Sequence, residues 1–136
     1  MKSLVISFFF AATIFIIIDA IWLMITVKLF YKPLLGSLLL DKPVLWAAIL
    51  FYLVYPMGLT FVILKPAIEA ESIALAFWTG LVFGIVAYGT YNLTNMATIK
   101  NWSSTVVFVD LIWGGLLTGI TSGLVVYIMK NLISTN

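Results

Sequence analysis

The side chains able to do chemistry are few, and they sit in strongly apolar surroundings. Tyr88-Gly-Thr-Tyr-Asn-Leu-Thr-Asn95 places a run of hydroxyls and amides inside a segment otherwise hydrophobic enough to cross a bilayer. On a helix at about 100° per residue, Tyr88, Tyr91, Asn92 and Asn95 share one stripe and point at a common target. Lipid is a poor target, because unpaired amide and phenol groups are costly in hydrocarbon, so this face must look into a helix bundle or a polar cavity.

Two acids belong with that stripe. Asp19-Ala-Ile-Trp22 and Asp110-Leu-Ile-Trp113 repeat one signature, and the three-residue separation puts Asp and Trp on one helical face. Their depths agree as well. Asp19 lies nine residues before Lys28, Tyr91 nine before Lys100, Asp110 ten after Lys100 and Tyr52 ten after Lys42. At about 1.5 Å per residue, all four come to one level below the membrane face opposite the termini. The expectation is a single polar layer of Asp19, Tyr52, Tyr55, Tyr88, Tyr91, Asn92, Asn95 and Asp110, drawn from four helices. Trp22 and Trp113 are its apolar neighbours, read more readily as an interface anchor and a packing residue than as a ligand platform.

Composition sets the class and removes several chemistries. The 136 residues are 64% hydrophobic and only 9% charged, with a mean hydropathy of +1.22, far from a soluble domain with roughly a quarter of its residues charged. This is an integral membrane protein. His and Cys are both absent, which excludes disulfides, thiolate nucleophiles, imidazole bases and the usual zinc sites. Neither a metal nor a cofactor is expected, and no basic patch points to nucleic acid. The candidate catalytic groups are therefore Asp19 and Asp110, with tyrosines beside them.

Hydropathy places four spans, at about 4–27, 44–64, 73–97 and 105–129. The apolar run after Met-Lys-Ser is read as a span rather than a secretory signal, since no small-residue cleavage site closes it. Lys28-Leu-Phe-Tyr-Lys-Pro33 is expected to leave the membrane, with 34–40 lying along the interface. Pro56 falls inside the second span, and Lys65-Pro66 is expected to end it. The fold class is thus all-α: one domain over 1–136, an up-down-up-down bundle of four transmembrane helices with a short interfacial segment between the first two. Both termini share one side, but three Lys there against four on the other leave orientation open. Gly115, Gly119 and Gly123 recur every four residues and project opposite Asp110, while Gly80 and Gly84 repeat the pattern on the third span. Such stripes let helices approach closely, either within the bundle or across a homo-oligomer interface.

The stretch Gly84-Ile-Val-Ala-Tyr-Gly-Thr-Tyr-Asn-Leu-Thr-Asn-Met-Ala-Thr98, with Trp102, Val109-Asp-Leu-Ile-Trp-Gly114 and the early Asp19 and Trp22, resembles a family of small bacterial membrane proteins catalogued as domain of unknown function 2177. The resemblance covers essentially the whole chain and implies a bacterial inner-membrane location, but it carries no established activity. The family's commoner form is Tyr-Asp-Leu-Thr-Asn. Asn92 here replaces an acid, which weighs against a mechanism using a pair of carboxylates.

Four functions remain open on the residues. The first is binding of an amphipathic, lipid-like molecule by the polar layer, with membrane lipids as partners, in the service of lipid metabolism or sensing. The others are an intramembrane lipid-modifying enzyme using Asp/Tyr acid–base chemistry, a proton-coupled carrier, and polar residues that only hold helices together.

Overall fold

The computed structural model describes residues 1–134 as an all-helical chain. Four helices are long and apolar enough to span a membrane, as expected. Helix α1 (Lys2–Thr26) continues through a π-helical turn at Val27–Tyr31 and a last α turn at Lys32–Leu35. Helix α2 (Leu45–Leu59) likewise passes through a π turn at Thr60–Leu64 into Lys65–Glu69. Helices α3 (Ile73–Thr98) and α4 (Ser104–Ser134) are uninterrupted.

Two expected boundaries therefore move. Neither Lys28-Leu-Phe-Tyr-Lys-Pro33 nor Lys65-Pro66 stops its helix. A proline lacks the N–H of the i→i−4 ladder and crowds the carbonyl four residues earlier, and a widened π turn just before it accommodates both problems without ending the helix. The local chemistry is the same in both places. A threonine hydroxyl donates to the carbonyl one turn back, Thr26 to Trp22 at 2.7 Å and Thr60 to Pro56 at 2.8 Å, and the π turn begins at or directly after that threonine. Only at Gly36, with φ of +47°, does the first helix turn out of its axis.

Helix α4 is the hub. Of its most apolar stretch 56% is buried, against 22–28% for the other three helices. One side of it takes α3 at close range. A Cβ on Gly84 would collide with the Gly114 carbonyl, and one on Gly80 would lie 2.6 Å from the Ser122 hydroxyl. Gly115 and Gly119 sit against Leu81, with Ile85 and Phe77 beside them. The other side takes α1, whose buried residues Ser7, Ala11, Phe15 and Asp19 recur every four positions. Asp110 and the glycine stripe can face opposite ways and both be covered, because α4 runs through the middle of the bundle. The glycines of α4 thus pack inside this chain.

Helix α2 is buried only over its C-terminal half, at Pro56, Leu59, Thr60, Ile63, Leu64 and Ala67. Of these, Leu59, Ile63, Leu64 and Ala67 join Ala11, Ala76, Val125, Val126 and Met129 in an apolar core at the termini end of the bundle. The N-terminal half of α2, from Leu45 to Val54, stands largely exposed. At that end the helices enclose a cavity instead of a core.

Replacing Gly84 with Ala is expected to destabilise the protein by about 1–3 kcal/mol, through forced separation of α3 and α4. Gly58→Ala, where nothing lies within 4 Å of the new methyl, should be neutral or slightly stabilising. Reversible unfolding in mixed micelles compares the two.

Candidate functional site

The cavity measures about 910 Å³ and lies between the C-terminal part of α1, the exposed half of α2, and the facing ends of α3 and α4. The polar groups at its base are fixed by a network in which every carboxyl oxygen of Asp19 and Asp110 accepts a hydrogen bond. Tyr52 Oη donates to Asp19 Oδ2 at 2.6 Å, and Trp113 Nε1 to Asp19 Oδ1 at 3.1 Å. Tyr31 Oη donates to Asp110 Oδ1 at 2.5 Å, and Asn92 Nδ2 to Asp110 Oδ2 at 3.0 Å. The four donors come one each from α2, α4, α1 and α3. Both acids are buried, 6% and 7% exposed.

The direction of these bonds follows from the donor types. An indole N–H and an amide NH₂ can only donate. Trp22 Nε1 donates to Tyr31 Oη at 3.2 Å, which leaves the Tyr31 proton free for Asp110. The chain Trp22 → Tyr31 → Asp110 is therefore complete with Asp110 as the terminal acceptor. Trp22 and Trp113 also stack, with ring centroids 4.2 Å apart and planes 10° from parallel. The two Asp-x-x-Trp signatures are thus exchanged between antiparallel helices. Trp113 of one serves Asp19 of the other directly, and Trp22 serves Asp110 through Tyr31.

The layer expected from sequence is present in part. Asp19, Trp22, Tyr55, Tyr88, Tyr91, Asp110 and Trp113 line the cavity. Tyr52 and Asn92 stand behind it and hold the acids. Asn95 is half-buried one turn beyond and does not line it. Tyr88 packs over Gly114, which has room for the ring only because it lacks a side chain, and meets Tyr55 edge-on at 6.2 Å. Tyr55 pairs with Thr118 at 2.8 Å. Tyr91, 56% exposed, meets Trp102 edge-on at 5.9 Å where the cavity opens.

Trp22 and Trp113 do more than anchor or pack, since each carries a hydrogen bond of the network. Tyr31 and Thr118 were not visible to sequence reasoning. On an unbroken α-helix Tyr31 would lie about 180° from Trp22, and the π turn between them absorbs one residue and swings it back by about 100°. The hint available in the sequence was Thr26, placed to back-bond, followed by Lys32-Pro33.

Among the described residues neither carboxylate has a cationic partner. Lys130 does form an ion pair, with Glu71 at 3.9 Å, but it is exposed at the other end of the bundle. An Asp at mid-helix costs about 2.5–3.5 kcal/mol to insert into a bilayer, and the two donors on each acid offset part of that cost. The groups of three or more acids that could chelate a metal ion are absent among the described residues.

Tyr31→Phe and Tyr52→Phe each strip one carboxyl oxygen of its donor while keeping the ring, and each is expected to destabilise the protein by about 1–3 kcal/mol. Trp22→Phe should cost less, because its N–H serves a neutral phenol. Exposed Tyr127 is the control, and its change to Phe should fall within about 0.5 kcal/mol. Unfolding in mixed micelles ranks the four.

No curated protein and no solved structure matches the chain. The family profile described as predicted membrane protein, domain of unknown function 2177, matches residues 4–127, and the chain belongs to that family.

Proposed function

We propose that the protein binds an amphipathic, lipid-like molecule in the cavity between α1, α2 and the ends of α3 and α4, as an accessory to lipid metabolism or as a sensor. The observation that carries this reading is the cavity itself. At about 910 Å³ it falls in the size range of small-molecule sites, and it is bounded by apolar side chains such as Leu35, Leu38, Phe51 and Val106, with two carboxylates at its base. An apolar body would lie along the leucines and rings, while a polar group would reach Asp19, Asp110 and the hydroxyl of Tyr88. A helical bundle of this type suits the inner membrane of a bacterium, whose outer-membrane proteins are β-barrels.

Acid–base catalysis has less support. Each of the four carboxyl oxygens already accepts a protein donor, which stabilises the ionised form and weakens it as a general base. The purely structural reading accounts for the hydrogen bonds but leaves the cavity beside them without a purpose.

Mass spectrometry of small molecules retained through purification in an uncharged detergent tests the proposal. Wild type should retain a defined amphiphile near one per chain, and Ala87→Phe, which adds a ring into the cavity while leaving both acids intact, should lose most of it. Equal, unselective membrane lipid on both proteins would overturn it.

A further inference from the structure

The walls of the cavity specify the charge of what it takes. The base holds two carboxylates and no cation. Lys32 and Asp41, both exposed, also line the cavity and offset one another in sign, so the balance within is negative. Eight of the twenty-one lining residues are aromatic, among them Trp22, Tyr88, Tyr91 and Trp102. Ring faces attract cations through their quadrupole, and aromatic walls combined with carboxylates form the cages that hold substituted ammonium groups. A phosphate or carboxylate head would instead meet two like charges in a medium that screens them poorly.

The hydrogen-bond pattern agrees with this. Each oxygen of Asp19 and Asp110 already accepts one bond from tyrosine, tryptophan or asparagine, so only its second acceptor site is left for a hydroxyl-bearing ligand. A positive charge needs no such site. It is stabilised by both carboxylates across the cavity.

We propose that the site takes a lipophilic cation, a substituted ammonium on an apolar body, which supplies the counter-charge the bundle lacks. The inference rests on the binding reading above and sharpens it. The ammonium could belong to a free amphiphilic amine or to the headgroup of a choline lipid, and the two share the chemistry that the cavity recognises.

The test uses three probes of one chain length, decyltrimethylammonium, decanol and decanoate, titrated into the full-length protein in uncharged micelles and followed by tryptophan emission. Decyltrimethylammonium should saturate with an apparent Kd at least tenfold below those of the other two. Asp19→Asn and Asp110→Asn should each weaken it tenfold or more and leave decanol unchanged. The ranking of the probes on wild type decides the matter even where a variant fails to fold. If decanol binds as well as the cation, amphiphile binding stands and the charge inference falls. If no probe saturates, both fall. Dihexanoylphosphatidylcholine then separates the sources, because competition assigns the ammonium to a lipid headgroup and its failure assigns it to a free amine.

Discussion

Two carboxylates held in hydrocarbon without a cation constrain everything else in this bundle. Each must be surrounded by donors, and an apolar helix has few to offer. The chain meets this by drawing one donor from each helix, Tyr31, Tyr52, Asn92 and Trp113. At this level α1 cannot leave α2 or α4, nor α3 leave α4, without an acid losing a partner. The polar layer therefore fixes which helices are neighbours and at what register, a role that apolar packing performs poorly where lipid tails compete as equals.

The two ends of the molecule divide the work. At the termini end, Leu59, Leu64, Ala67, Val125 and Met129 build a core, and the small residues of α3 and α4 bring two backbones into contact. That end holds the bundle together by packing. Because it does, the N-terminal half of α2 can stay largely exposed, tied to α1 through Tyr52, and leave a cavity open beside the acids. Had α2 been apolar and closely packed throughout its length, the carboxylates would have been sealed in and nothing could reach them.

How much of this was legible depended on the kind of signal. Four spans follow from hydropathy alone, because the cost of exposing backbone and charge to lipid leaves little freedom. The common depth of Asp19, Tyr52 and Asp110 could be counted from flanking lysines, and the structure pairs Asp19 with Tyr52. Pairing between helices could not be counted. That Asn92 serves Asp110 while Asn95 pairs with Tyr91 depends on how α3 is rotated about its own axis, which the glycine contacts with α4 decide. The centrality of α4 was hidden for the same reason. A helix polar on one face and glycine-lined on the other reads as conflicted until it is seen to have neighbours on both sides.

The prolines show why composition misleads at helix ends. Lys-Pro is ordinarily a stop, and in a membrane protein it also reads as an exit from the bilayer. Here Lys32-Pro33 and Lys65-Pro66 follow a threonine by six and five residues, and the π turn between them keeps the helix going. In α2 the continuation reaches Ala67, which closes the apolar core. In α1 it has a chemical result, since the single residue absorbed by the turn rotates Tyr31 onto Asp110 and places Leu35 and Leu38 over the cavity. A straight helix would turn Tyr31 toward lipid and leave one oxygen of Asp110 bare. The irregularity in α1 is thus what completes the network at the base of the site and covers the site from above.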